Sequence, residues 1–187
     1  KSSYFKKLYR GSWNANTVIS MAIGQGELLL TPIQMANMTA IIANRGFYYT
    51  PHIIKEISGQ ENIDSNFIKK KYCSIEAKYF EPIIDGMLKV TAGEDGTAQN
   101  SQIASLDICG KTGTAQNPHG EDHSIFIAFA PKDNPKIAIS VYVENGGWGS
   151  TWAAPIASLM IDKYINNHIS NSYLEKFILD GNLIAED

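Results

Sequence analysis

The segment TPIQMANMTAIIANRG, residues 31–46, carries apolar residues at helical spacing. Thr31 is a candidate N-cap, and Pro32 suits the first helical position, where its missing N–H removes no helical hydrogen bond. Gly46 follows the last apolar residues and is typical of a helix end. The pattern therefore predicts a buried helix between Thr31 and Gly46.

Two further segments combine apolar residues with helical spacing. In SIEAKYFEPIIDGMLKVT, residues 74–91, Pro82 weakens the middle of the predicted helix. In STWAAPIASLMIDKYINN, residues 150–167, either Ser150 or Thr151 can serve as the N-cap. We predict one helix in each segment.

Runs of β-forming residues lie between these helices. One run surrounds residues 106–116, a second is HSIFIAFAP from His123, and a third is KIAISVYVENGG from Lys136. Because only short turns separate them, we predict three consecutive antiparallel strands. An earlier run, FYYTPHIIKEI, predicts a strand that Pro51 confines to a sheet edge or bulge, and the polar residues 58–72 predict a surface excursion.

The order of these elements indicates the fold class. Helices come first, a meander of strands follows, and a helix after the strands must bury its apolar face against the sheet. We therefore predict an α+β fold with helices packed on an antiparallel sheet. The whole chain, 1–187, is expected to form a single partial domain, with residues 168–187 as a tail or a last short helix.

Composition excludes several classes of function. A net charge of −3 supplies no basic surface for phosphate neutralisation, so we expect no nucleic-acid partner. The run Lys69, Lys70 and Lys71 is more typical of a solvated loop. No apolar run reaches the roughly 20 residues of a membrane span, which predicts that the chain as written is soluble. Its start without methionine indicates a fragment of a longer protein.

The stretch DICGKTGTAQN, residues 107–117, carries candidate chemistry. Its Gly-Lys-Thr could end a phosphate-binding loop, but Ser105 stands where the first glycine of that loop belongs and no helix follows. In a strand, Lys111 and Gly113 point to one face and Thr112 and Thr114 to the other. A peptide pairing with the strand edge could then bring a carboxylate to Lys111 or to a threonine hydroxyl. The four residues alone slightly favour an ordinary strand that ends in a turn.

The following NPHGEDHS contains His119 and His123 with two acidic residues between them. Pro118 and Gly120 favour a loop, in which two histidines have no imposed helical spacing, so we expect no metal site. A loop beside the strand is better suited to form a substrate rim. There His123 could orient a bound peptide.

These residues belong to a longer resemblance that covers about residues 18–166. The segments MAIGQGELLLTPIQMANMTAIIANRG, GKTGTAQNPHG, FIAFAP and VENGG followed by AAPIA resemble the transpeptidase domain of class B penicillin-binding proteins. Within this class, the sequences of these segments are most similar to the elongation-type penicillin-binding protein 2 group. The resemblance implies the C-terminal half of a penicillin-binding, serine β-lactamase-like fold.

The resemblance also implies an activity. Such enzymes transfer an acyl group from a D-alanyl-D-alanine stem peptide to an amine, β-lactams imitate the peptide, and no cofactor is needed. Lys111 would supply positive charge and a proton-relay contact. Thr112 would support the strand from its other face and belong to the substrate-binding residues. Gly113 would leave room for substrate. Thr114 would bind the terminal carboxylate through its hydroxyl and donate its backbone N–H to the oxyanion.

The family requires a nucleophilic serine in S-x-x-K and a second S-x-N motif. Both patterns occur near the start of the chain, as Ser3-x-x-Lys6 and Ser12-x-Asn14. They stand too close together, and too close to the GQG segment, to match the family's arrangement. We therefore expect the nucleophile to lie upstream, outside this chain.

Several alternatives share the Lys-Thr-Gly strand. A serine β-lactamase or D,D-carboxypeptidase would use it for a different reaction, and a β-lactam-sensing or scaffolding domain would use the same fold to bind partners. For the transpeptidase, the resemblance implies stem peptide, β-lactams and proteins of the elongation machinery as partners, besides the N-terminal part of its own chain. It also implies a full-length protein anchored in the inner membrane with this domain on the extracytoplasmic side.

Overall fold

A computed structural model describes residues 7, 15–26, 28–56, 58 and 64–183. The chain divides into two compact units, residues 1–30 and residues 31–187. Among the described residues, no helix is long and apolar enough to cross a membrane.

The first unit contains helix α1, Ala15–Ala22. The amide of Gln25 donates to the Ser20 carbonyl at 2.9 Å and closes the end of this helix. Gly24 and Gly26 have φ values of +82° and +81°. The two glycines of GQG are therefore explained by left-handed backbone, which other residues adopt only at a cost.

The second unit holds the remaining elements. Its helices are α2 (Pro32–Ala43), the single turn α3 (Ser65–Ile68), α4 (Glu81–Ala92), α5 (Ala153–Asn166) and α6 (Ser172–Leu179). Its strands are β1 (Phe47–Tyr48), β2 (Lys71–Tyr72), β3 (Cys109–Ala115), β4 (His123–Ala130) and β5 (Ile137–Val143). Short 3-10 turns lie at Ala77–Tyr79 and Gln99–Ser101.

Helix α2 begins as the sequence predicts. The Thr31 hydroxyl accepts a hydrogen bond from the Gln34 amide at 3.4 Å, and the Gln34 side chain accepts one from the Thr31 amide at 2.8 Å. This reciprocal pair is a capping box, and Pro32 stands in the first turn. The prediction of a capped helix over this segment is confirmed.

Three predictions of local structure need correction. The helix predicted from residue 74 begins only at Glu81, because Pro82 fits the first turn of a helix and not its interior. The strand predicted before and after Pro51 shrinks to the two residues of β1, which pair with β2. Helix α5 has Trp152 at its N-cap position and no capping side chain there, so the prediction of Ser150 or Thr151 is wrong.

The three main strands form an antiparallel sheet in the order β3-β4-β5, which confirms the predicted meander. Strand β4 is central and β3 and β5 are its neighbours. Lys111 pairs with Ile127, and Thr114 pairs with Ser124. Since paired residues share a face, this register decides which side chains lie beside the Lys-Thr-Gly-Thr motif.

Each face of the sheet is covered by helices. Helix α5 packs on one face, where Phe126, Ala128 and Ile139 form a cluster with alanines of the helix. Helices α2 and α4 pack on the other, where Cys109 and Phe129 are fully buried. Burial raises the pKa of the Cys109 thiol to about 12, so this cysteine stays protonated and acts as an apolar core residue.

The connection between α5 and α6 is held by Asp162, which is fully buried. Its carboxylate accepts hydrogen bonds from the Ser170 amide and hydroxyl, both at 2.7 Å, and from Asn166 Nδ2 at 2.7 Å. Burial raises the pKa of Asp162, but these hydrogen bonds outweigh it, so the pKa lies below its ordinary value of 3.8. Part of the segment 168–187 is thus an ordered helix tied to α5.

Replacing Asp162 with asparagine should lower the free energy of unfolding by about 2 kcal/mol at pH 7, as expected for hydrogen bonds to a buried charge. The amide group of asparagine would face the donors of Ser170. Because the pKa is lower in the folded state, the carboxylate stabilises the fold above its ordinary pKa, and this stabilisation is lost as the pH falls through the folded value. Urea unfolding measures the difference in the free energy of unfolding between variant and parent. This difference should be large at pH 7 and much smaller in strong acid. An equal difference at both pH values would contradict it.

Candidate active site

The Lys-Thr-Gly-Thr motif occupies the centre and the end of β3. Among the described residues, β3 pairs with β4 alone, so its other edge is unpaired. Lys111 and Gly113 share a face with Ile127 and Ile125. Thr112 and Thr114 share the opposite face with Phe126 and Ser124. The unpaired edge therefore presents the motif with cation and hydroxyls on opposite sides of the backbone.

Lys111 is exposed, and its ammonium donates to the Thr112 carbonyl at 2.8 Å. In the described part of the chain it forms no ion pair. Beside it lies a pocket of about 280 Å³, lined by Ile42, Ile83, Gly86, Met87, Lys111 and Ile127. A cation without a carboxylate partner thus stands at the rim of an apolar hollow, where it remains available to a bound group.

Thr112 is tied to the segment that follows α4. Its hydroxyl lies 3.0 Å from the Thr97 hydroxyl, within hydrogen-bond distance. The Ala98 amide in turn donates to the Val90 carbonyl of α4 at 2.9 Å. The support of the strand by Thr112 and its part in substrate binding both stay predictions.

The two glycines of the motif have different reasons to be glycine. A Cβ on Gly110 would lie 2.8 Å from Cε2 of the buried Phe126 ring, so the core itself requires glycine there. A Cβ on Gly113 would meet Ile125 Cβ at 3.3 Å, which a small shift relieves. Packing therefore requires glycine at position 110 and does not require it at position 113, where space for substrate stays a prediction.

The loop between β3 and β4 is braced by its own polar groups. The Asp122 carboxylate accepts a hydrogen bond from the Asn117 amide at 3.1 Å, and Asn117 Nδ2 donates to Asn145 Oδ1 at 2.8 Å. The Gly147 amide donates to the Asp122 carbonyl at 2.6 Å. This loop and the loop after β5 therefore form one rim at the end of the sheet that carries Thr114.

His123 takes part in the same rim. Its Nδ1 accepts a hydrogen bond from the Asn145 amide at 3.1 Å, and its ring lies 5.2 Å from the ring of Tyr142. Because Nδ1 accepts from the backbone, only Nε2 remains for another partner. Contact of His123 with substrate stays a prediction. The acidic residues and histidines of this loop form no group able to hold a metal ion, in the part of the chain that the structure describes.

Two residues of this region escaped the sequence reasoning. Ser124 is fully buried directly opposite Thr114, and its hydroxyl bonds to both sides of the loop that precedes α5. Gly149 packs its backbone against the backbone of Gly113. Nothing local marks a serine in an apolar strand, whereas the glycine-rich GGWGS was a signal of close backbone approach.

Comparison with known proteins identifies the family to which this fold belongs. Residues 4–162 match the family described as the penicillin binding protein transpeptidase domain, and the chain belongs to that family.

Relatives extend the match to most of the chain. Peptidoglycan D,D-transpeptidase MrdA of Haemophilus influenzae is 34% identical over 182 residues, which cover 88% of this chain and 28% of the relative. The structure of Pseudomonas aeruginosa PBP2 in complex with WCK 5153 superposes with a TM-score of 0.76 at 34% identity, over 92% of this chain and 38% of that one. PBP2 of Helicobacter pylori in its complex with MreC gives a TM-score of 0.74 at 29% identity, over 89% and 30%.

These alignments confirm the predicted α+β fold and the predicted family. The chain spans less than a third of the length of the H. influenzae relative. The candidate motifs at Ser3, Lys6, Ser12 and Asn14 lie outside the described residues.

Proposed function

We propose that this chain is the C-terminal part of a peptidoglycan D,D-transpeptidase domain that cross-links stem peptides during cell-wall elongation and is acylated by β-lactams. The observation that carries this proposal is the Lys111 ammonium beside an open apolar pocket, on a strand edge where the described residues supply neither an ion-pair partner nor a pairing strand. The names of the relatives, peptidoglycan D,D-transpeptidases, support the same activity.

Each residue of the motif has a proposed part in acyl transfer. An extended peptide ending in D-alanyl-D-alanine lies along the free edge of β3, and Gly113 leaves space for it. Thr114 binds the terminal carboxylate with its hydroxyl and the developing oxyanion with its backbone N–H. The ammonium of Lys111 assists proton transfer among the hydroxyls of the site. One oxyanion donor alone is worth about 10²-fold or more in rate.

The pocket beside Lys111 supports the proposal that the nucleophile lies outside this chain. Its lining is apolar, and Ile83 is half exposed at 50%. The segment with the S-x-x-K motif would cover this hollow and bring its serine to Lys111. No such segment within the described residues occupies the pocket, and we propose the missing serine on the N-terminal part of the same domain.

Partners and location follow the same proposal. The complex of H. pylori PBP2 with MreC supports a partner protein of the elongation machinery for the whole protein to which this chain belongs. That whole protein is proposed to sit at the extracytoplasmic face of the inner membrane. Its substrates are the stem peptides, and β-lactams bind as their mimics.

Mass spectrometry of the intact protein tests the proposal. The protein that carries this chain together with an upstream S-x-x-K segment should gain one penicilloyl adduct on incubation with penicillin. The 187-residue chain alone should gain none.

A Ser3→Ala variant of the chain is the control for the upstream position of the nucleophile. An adduct on the chain alone that disappears in Ser3→Ala would show that Ser3 is the nucleophile. The absence of an adduct on the longer protein would contradict acylation, and with it the transpeptidase proposal.

A further inference from the structure

Ser124 is the second residue of β4 and has no role in the chemistry above. It is fully buried on β4 and pairs across the sheet with Thr114. Both side chains therefore share the face of the sheet on which α5 packs. Burying a hydroxyl destabilises the fold unless the hydroxyl is hydrogen-bonded. The hydrogen-bond partners of Ser124 therefore indicate its structural role.

The Ser124 hydroxyl bridges two ends of one loop. It donates to the Trp148 carbonyl at 2.9 Å and accepts from the Ala153 amide at 3.1 Å. Ala153 is the first residue of α5, and its amide belongs to the helical N–H groups that have no partner within the helix. Ser124 thus replaces the local N-cap that α5 lacks, although it stands 29 residues earlier in the chain.

The bridged loop rests directly on β3 and β4. A Cβ on Gly149 would lie 2.5 Å from the Gly113 carbonyl oxygen, and nearer still to the Ile125 carbonyl oxygen. The loop backbone therefore touches the strand backbone with no side chain between them. Asn100 Nδ2 also donates to the Ser150 carbonyl at 3.0 Å, which ties the loop to the segment before β3.

The contact between Gly149 and Gly113 lies next to the Thr114 backbone N–H, the proposed oxyanion donor. In an antiparallel pair, successive residues turn their N–H groups alternately toward the neighbouring strand and toward the free edge. Gly113, against which Gly149 packs, immediately precedes Thr114 in β3. A shift of the loop would therefore move the peptide unit between Gly113 and Thr114, which contains the Thr114 N–H.

We infer that Ser124 is a positioning residue: by joining the Trp148 carbonyl to the first turn of α5, it presses Gly149 on Gly113 and sets the place of the Thr114 N–H at the free edge. This inference rests on the proposed function, in which that N–H stabilises the oxyanion. Ser124 itself touches neither substrate nor nucleophile. Its effect on catalysis passes through the backbone of β3.

The test compares the Ser124→Ala variant with the parent in the protein that carries this chain and its nucleophile. The rate constant of acylation by a chromogenic β-lactam is separated from the constant for prior binding. We expect the variant to acylate about 10-fold more slowly, because a displacement well below 1 Å already costs rate in an oriented site. Binding before acylation should change little, since the Thr112 and Thr114 hydroxyls remain.

Amide hydrogen exchange supplies a second measurement that does not need activity. Peptides covering residues 110–116 and 123–127 should exchange faster in Ser124→Ala than in the parent. The reason is that the variant loses the hydrogen bonds that hold the loop before α5 against β3 and β4. Unchanged exchange would overturn the inference. Faster exchange with an unchanged acylation rate constant would overturn it as well.

Two control variants separate positioning from stability. Ser158, on α5, has a buried hydroxyl without a hydrogen-bond partner among the described residues, so Ser158→Ala should change neither measurement. Asp162→Asn lowers the free energy of unfolding through the far end of α5 and should leave the acylation rate constant unchanged. Any faster exchange in that variant should be spread over the chain and not confined to residues 110–116 and 123–127. A rate loss in Asp162→Asn equal to that in Ser124→Ala would assign the effect to general destabilisation and overturn the inference. If the parent is not acylated, the proposed function fails. The exchange data alone then still support or overturn the inference that Ser124 holds the loop before α5 against β3.

Discussion

Replacing Lys111 by methionine should lower the rate of acylation by a β-lactam by at least about 10²-fold, the low end for a positioned proton-transfer group. Methionine keeps much of the length of lysine and removes the charge. Lys111 is exposed, and among the described residues its ammonium donates only to the Thr112 carbonyl, so the free energy of unfolding should stay within about 0.5 kcal/mol. Stopped-flow or gel-based acylation kinetics and urea unfolding measure the two effects.

Lys163→Met is the matched control for this variant. Lys163 is also exposed, and its ammonium also donates to a backbone carbonyl, that of Asn167 at 2.9 Å. Lys163 lies on α5, away from the free edge of β3. The Lys163→Met variant should therefore be acylated at the parental rate. If Lys111→Met kept the parental rate as Lys163→Met does, the cation on β3 would have no part in the reaction.

The second large effect is expected for Gly149→Ala. The added Cβ would overlap two backbone oxygens, those of Gly113 and Ile125, and backbone atoms cannot turn away as a side chain can. The loop or the strand must shift, at a cost of about 3 kcal/mol, the upper part of the range for overpacking. Because the strand that moves carries Thr114, the acylation rate should fall together with stability. Thermal unfolding and acylation kinetics on the same sample measure both.

Gly86→Ala is the comparison for stability. Gly86 lies inside α4, and a Cβ there would meet nothing within 4 Å in the described residues. Alanine in a helix interior is favoured over glycine by about 1 kcal/mol, so this variant should be more stable than the parent. Equal stability of Gly149→Ala and the parent would show that the loop before α5 accepts a side chain and that its contact with β3 is loose.

Much of the fold could be predicted because its signals are local. The capping box of Thr31 and Gln34 involves residues three positions apart, and the strands follow from alternation over a few residues. The start of the helix around Pro82 was predicted wrongly. Proline is compatible with the first turn of a helix and incompatible with its interior, so the effect of Pro82 depends on where the helix begins.

The candidate site divides in the same way. Alternation along β3 predicted that Lys111 and the threonines point to opposite faces, and the register of the sheet agrees. It could not predict that His123 accepts a hydrogen bond from Asn145, nor that a pocket opens beside Lys111. Those features arise where separate elements meet.

The sequence by itself determined the fold class, the order of helices and strands, and the family to which the chain belongs. It did so because these properties rest on spacing and motifs within short segments. Only the tertiary structure decided that α5 is capped by Ser124 from β4, in place of Ser150 or Thr151, and that Gly149 touches Gly113. The physical reason is that a buried polar group takes whichever partner the packed chain brings within reach, and that partner is set by the whole fold.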